Sequence, residues 1–128
     1  MARYLLDTTV LIDHLRGQPK AVELMTRMAR LGHELGVCCI NIAELYSGLA
    51  NEEQVRADKL INSLAYYEIS RDTAKLAGGY RFRFARKGAA LTTTDTLVAA
   101  AAVSNEATLV TANVRDYPIE EVELLQQP

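Results

Sequence analysis

Apolar residues in this chain fall in short runs bounded by polar turns, and these runs alternate with stretches of helical spacing. Arg3–Leu6 is a short apolar run stopped by Asp7-Thr8-Thr9, the pattern of a buried strand that ends in a turn. Val10, Leu11 and Leu15 follow at helical spacing, and Arg16-Gly17-Gln18-Pro19 breaks that segment. Over residues 20–34, Val22, Met25, Met28, Ala29 and Leu31 describe one helical face, with Gly36 as its stop. Residues 37–40 read as a second strand, with Asn41 as the cap of a helix over 42–49. A further helix over 51–64 turns Val55, Leu60, Ile61 and Leu64 inward.

Residues 66–69 make a weaker strand pattern. Ser70 or Asp72 caps a helix that reaches Lys87 and stops at Gly88. The next helix opens at Thr93-Thr94-Asp95 and continues through LVAAAAV. Thr108–Thr111 is another strand, residues 113–117 form a loop closed by Pro118, and 122–125 suit an edge strand. Strands and helices therefore alternate throughout. This predicts an α/β fold, a three-layer α/β/α sandwich around a mostly parallel central sheet, with residues 1–128 as a single domain. In such a fold the functional crevice lies beyond the carboxyl ends of the strands.

Composition narrows the chemistry. The chain has 128 residues, 49% of them hydrophobic, and no tryptophan, so the core is aliphatic and alanine-rich. A formal charge of −2 is not the balance of a protein that holds nucleic acid by bulk charge. Contact with a polyanion requires a local basic surface or a metal ion bridging acidic groups to phosphate. Cys38 and Cys39 are adjacent in GVCCI; as neighbours on a strand they point to opposite faces, and two buried free thiols suit a reducing cytoplasm. His14 and His33 are too isolated for a zinc site and read as surface residues. Asp7 and Asp13 interrupt the apolar start too early for a signal peptide or a membrane span, so a cytoplasmic location is expected.

The acids follow the crevice rule. Asp7 ends the first strand, Glu44 lies in the first turn of the helix after the second, Asp95 opens a helix, and Asp116 lies in the loop after LVT. All are placed to converge at one end of the sheet. Two charges at ~4 Å interact by several kcal/mol at an effective dielectric of about 20, so such a cluster requires a positive partner. Oxygen ligands without histidine or cysteine favour Mg²⁺ or Mn²⁺. Each acid also has a plainer reading: Asp7 as a strand terminator, Glu44 and Asp95 as first-turn acids favoured by the helix dipole, and Asp116 as a turn former.

LLDTTVLIDHLRG, NIAELYSGL, TTTDTLVAAAA and LVTANVRDYP, in that order, resemble the successive motifs of the PIN-domain family, most of all its VapC-type toxins of toxin–antitoxin pairs. The resemblance spans essentially the whole chain. It implies a Mg²⁺- or Mn²⁺-dependent endoribonuclease in which Asp7, Glu44, Asp95 and Asp116 form the catalytic, metal-holding set. Family members place the late acid at more than one position, so Asn113 stands beside Asp116 as a supporting ligand. Thr9 occupies the position two after the first aspartate, where the family often has asparagine, and is expected to orient a carboxylate or a metal-bound water. The resemblance further implies a homodimer, a cognate antitoxin protein that inserts a segment into the active-site groove, and an RNA substrate such as transfer RNA.

The basic stretch YRFRFARKG places Leu76, Tyr80 and Phe84 on one helical face and leaves Arg81, Arg83 and Arg86 outside. These arginines either cap a solvated helix end or meet an RNA backbone; Arg115 and Arg16 lie beside acidic motifs and are further phosphate candidates. Phe82 falls off the core face, either as a subunit contact or as a partly buried surface ring. Two other functions compete. An aspartyl-phosphate enzyme of the dehalogenase type needs a second acid where Thr9 stands, and a receiver domain needs a lysine near the last strands, whereas none occurs after Lys87. A non-catalytic PIN-like regulator that binds RNA or protein would keep the fold and lose the acids, and all of them are present.

Overall fold

A computed structural model describes residues 1–128. The elements run β1 (Arg3–Leu6), α1 (Thr8–Leu15), α2 (Pro19–Arg30), β2 (Glu34–Val37), α3 (Cys39–Ser47), a 3₁₀ turn (Asn51–Glu53) and α4 (Gln54–Asn62). They continue with β3 (Ala65–Tyr66), α5 (Arg71–Ala85), α6 (Thr93–Ser104), β4 (Thr108–Thr111), a second 3₁₀ turn (Val114–Asp116) and β5 (Leu124–Gln126). The strands form one sheet in the order β3-β2-β1-β4-β5. Every pairing is parallel. The chain winds outward from β1 in one direction through β2 and β3, then returns to β1's other side for β4 and β5. The reversal between β1 and β4 is where an open parallel sheet leaves a crevice at its carboxyl edge.

Alternation along each strand divides the interior in two. Leu5 and Leu109 point into a cluster with Tyr80, Phe84, Val98, Tyr117 and the buried alanines of α6. Leu6, Val37 and Val110 point the other way, into a cluster with Val10, Leu11, Leu24, Met25, Met28, Leu45 and Leu60. Helices thus cover both faces, as the α/β/α expectation requires. Ala99–Ala102 of α6 are all fully buried, and their short side chains let this helix lie close to its neighbours. No helix is long and apolar enough to cross a membrane.

Several boundaries differ from the sequence expectation, each for a local reason. α2 stops at Arg30 rather than reaching residue 34. Gly32 adopts φ +81° and donates to Ala29, while the His33 amide donates to Met28 at 3.1 Å, a Schellman closure only a left-handed residue permits. The face of α2 that packs is Ala21, Leu24, Met25 and Met28; Leu31 is exposed. Residues after Gly32 are then free to form β2, three positions earlier than expected.

β2 ends at Val37 because Cys38 is the N-cap of α3, not part of a strand. Asn41 is therefore not a cap but the third residue of the helix, where its Oδ1 accepts from the Cys38 amide at 3.4 Å and from the Cys38 thiol at 3.1 Å. Cys38 is buried and Cys39 exposed, so the pair is not two buried thiols. On α4, Ala57 and Leu60 are buried while Val55 lies exposed.

Candidate active site

Asp7 is the N-cap of α1, at the carboxyl end of β1, and it is nearly buried. Its backbone amide donates to Val110 of β4 at 2.9 Å, which fixes the residue at the β1–β4 reversal. Four donors surround the carboxylate. Oδ1 accepts from the Thr8 amide at 2.9 Å and Asn41 Nδ2 at 3.2 Å; Oδ2 accepts from Thr111 Oγ1 at 2.8 Å and Tyr117 Oη at 3.1 Å. Four neutral donors thus meet this carboxylate and fix its orientation.

Asp95 lies in the first turn of α6, its amide bonded to the N-cap hydroxyl of Thr92 at 3.1 Å. Tyr117 Oη reaches Asp95 Oδ1 at 3.5 Å, so one hydroxyl meets two of the expected acids. The Asp95 carboxyl is held above its usual range, first by partial burial and then by the charges of Asp116, Asp7 and Glu44. Tyr117 thus joins Asp7 to Asp95, while no hydrogen bond ties Asp116 to the other acids. Glu44 is exposed and lies in the middle of α3 rather than its first turn, and its Oε1 accepts from Thr8 Oγ1 at 2.7 Å. Asp116 is exposed in the second 3₁₀ turn.

The side chains are not drawn together as tightly as a cluster in direct contact would be. No three His, Cys, Asp or Glu groups stand in ready ligand geometry. The reason is visible: Asp7 is turned into its donors, Glu44 toward Thr8, and Asp116 toward solvent. The donor set still suits a hard divalent cation, since every converging acid offers oxygen and Asp95 lies in a negative field with no basic side chain to relieve it. Asn113 is exposed, and its backbone amide donates to Thr111 Oγ1 at 3.0 Å.

Thr9 makes no hydrogen bond to the acids; its neighbour Thr8 does the orienting expected of it. Asn41, Thr111 and Tyr117 were also missed. Asn41 could have been found from its spacing, since it lies three residues before Glu44 on the same helix and so shares its face. Thr111, as a polar residue ending an otherwise apolar strand, gave a similar signal.

The arginines divide. Arg81 donates to the Leu91 carbonyl and the Thr93 hydroxyl, both at 2.9 Å, which fastens α5 to the start of α6. Arg83 forms a two-pronged pair with Glu121 at 2.9 and 2.8 Å. Arg86 lies over the exposed Phe82 ring, and Arg115 is exposed in the turn that carries Asp116. His14 and His33 are half-buried rather than free on the surface, and both line a cleft of about 600 Å³ between α1, α2 and α4 that contains none of the four acids. Burial pushes the Cys38 thiol up to about 11, so it stays protonated and is no nucleophile.

The PIN domain family matches residues 4–122 of this sequence. The chain belongs to the PIN domain family. It is 30% identical over 115 residues to a Mycobacterium tuberculosis protein named ribonuclease VapC19, covering 90% of this chain and 92% of that protein. Ribonuclease VapC10 of the same organism is 31% identical over 117 residues, covering 91% and 87%. Among solved structures, VapBC2 from Rickettsia felis, crystallised with a DNA fragment from its promoter, superposes with a TM-score of 0.87 at 23% identity, covering 98% of this chain and 99% of that one. That likeness confirms the PIN fold, including the parallel sheet and its flanking helices.

Proposed function

We propose that this chain is a divalent-metal-dependent endoribonuclease and the toxin of a toxin–antitoxin pair. The observation that supports the reading is that Thr8 joins Asp7 to Glu44 and Tyr117 joins Asp7 to Asp95 at one end of the sheet, in a family whose matched relatives are named ribonucleases. Asp7, Asp95 and Asp116 would hold Mg²⁺ or Mn²⁺, with Asn113 in support. When bound, the ion supplies a Lewis acid that stabilises charge on the phosphoryl group and favours hydroxide over water.

The chain's own groups do the rest. Thr8 occupies Glu44 Oε1, which leaves Oε2 free to take a proton from an attacking water. Asn41, Thr111 and Tyr117 fix the orientation of Asp7, so that carboxylate need not reorganise during hydrolysis. Arg16, Arg86 and Arg115 are the arginines of the basic set whose side chains make neither an ion pair nor a hydrogen bond to the protein and suit an RNA backbone, structured RNA such as transfer RNA being the substrate class. An antitoxin protein is the expected partner, since similar solved structures are described as a toxin–antitoxin complex and as a member of the VapBC family of toxin–antitoxin systems. A homodimer is the expected assembly, with the exposed ring of Phe82 available for a subunit contact.

The test is induction of the chain in growing cells, with sequencing of RNA 5′ ends. Discrete new cuts are expected with the wild type and none with Asp7→Asn or Asp95→Ala. Unchanged RNA in cells that contain folded wild-type protein, freed from any antitoxin, would overturn the nuclease reading and favour a binding-only regulator.

A further inference from the structure

The ring of Tyr117 is buried among Leu5, Leu109, Ile119 and Val122, and packing there asks only for an aromatic ring. The hydroxyl is additional, and a buried phenol is costly unless its O–H finds a partner. It finds two. Oη lies 3.1 Å from Asp7 Oδ2 and 3.5 Å from Asp95 Oδ1, groups 110 and 22 residues away in sequence. A phenol is neutral near pH 7 and so acts here as a donor. A phenol carries a single proton, which these two carboxylates share.

The two acids depend on that contact unequally. Asp7 keeps three other donors, from Thr8, Asn41 and Thr111. Asp95 has only the Thr92 hydroxyl besides, and three like charges repel it. Without the phenol, Asp95 has rotamer freedom to swing toward solvent and away from Asp7.

We propose that Tyr117 is a positioning residue for the ion site, its one hydroxyl tethering Asp7 Oδ2 and Asp95 Oδ1 to the same point so that both carboxylates face one volume. This rests on the metal-dependent reading above. The packing role and the positioning role separate cleanly, because phenylalanine preserves the first and removes the second.

The experiment measures Mn²⁺ affinity of the purified, antitoxin-free chain by calorimetry without RNA, alongside thermal unfolding of the metal-free protein. Tyr117→Phe is expected to weaken Mn²⁺ binding about tenfold, the scale of one hydrogen bond to a charged group. RNA cleavage should fall at limiting Mn²⁺ and recover at saturating Mn²⁺. Tyr80→Phe is the control: its buried hydroxyl has no partner, and its loss should leave Mn²⁺ affinity unchanged. Wild-type binding with an equally tight or tighter Tyr117→Phe variant overturns the inference alone. A wild type that binds no Mn²⁺ overturns the metal-dependent reading and this inference together.

Discussion

The hydroxyl of Thr8 donates to Glu44 Oε1 across 2.7 Å, joining the first residue of α1 to the middle of α3. The same residue's backbone amide caps onto Asp7, so two neighbouring groups of one threonine each hold a different acid. Thr8→Val removes the hydroxyl and keeps the amide. Glu44 then loses its anchor while α1 keeps its cap. Cleavage should fall about 10- to 100-fold, as when a residue supporting a metal ligand is lost, and stability by only about 1 kcal/mol. Single-turnover cleavage and thermal melts check this; an unchanged rate would mean Glu44 needs no support from Thr8.

Asp95 ties function to a stability cost. Its carboxyl is raised in the folded, metal-free protein by burial and by Asp116, Asp7 and Glu44. The folded state therefore holds the Asp95 proton more tightly than the unfolded state. This contribution to stability is present below the ordinary value of 3.8 and is lost as pH rises from there through the raised value. Metal-free Asp95→Asn should lack that slope and melt slightly higher than wild type at pH 7, by under about 1 kcal/mol given solvent screening. Added Mg²⁺ should stabilise the wild type more than the variant. Thermal melts from pH 3.5 to ~7, with and without Mg²⁺, test both statements. A variant that is less stable at every pH would contradict them.

Much of this arrangement could be read in the sequence, and the remainder fails for identifiable reasons. β1 and β4 were placed correctly because apolar runs bounded by polar turns admit few alternatives. The carboxyl-edge rule then located Asp7 and Asp95 without coordinates. β2 was misplaced because residues 34–37 begin with the polar Glu34 and contain a glycine, while VCCI is the more strand-like string. Only the left-handed turn at Gly32 decides between them. Thr8 and Thr9 are chemically alike, and which one faces Glu44 depends on the angle at which α1 leaves β1. Tyr117 was hidden by sequence distance, since nothing local distinguishes a ring with a catalytic neighbour from one that only packs. Arg81 and Arg83 were judged free because their partners, Leu91, Thr93 and Glu121, lie on later segments.

Gly36 on β2 reports on packing rather than chemistry. A Cβ there would stand 2.6 Å from two ring carbons of Tyr67, whose hydroxyl is anchored to Glu34 at 2.7 Å. Gly36→Ala must displace the ring or the strand, and overpacking of this kind costs about 1–3 kcal/mol. A lower denaturant midpoint is expected, together with normal Mn²⁺ binding in whatever fraction folds. An unaltered midpoint would show that the ring yields freely.

The two kinds of arginine can be told apart by substitution. Arg115→Ala should raise KM for RNA several-fold with kcat nearly kept, and reduce the salt dependence of binding by about one phosphate contact. Arg83→Ala removes an exposed pair with Glu121 and should change both stability and KM little. Salt-titrated RNA binding and melts separate the outcomes. Equal loss of RNA affinity in both variants would assign Arg83 to the RNA surface as well.

Asp7 meets Thr111 and Tyr117 across 104 and 110 residues of sequence. During synthesis Asp7 is made well before the partners that complete its pocket. β1 sits at the centre of the sheet and cannot be flanked on its second side until β4 arrives. A nascent chain therefore carries the carboxylate without its pocket until β4 and the turn after it have been made. The strand order thus sets assembly of the acidic site well behind synthesis of the acid that begins it.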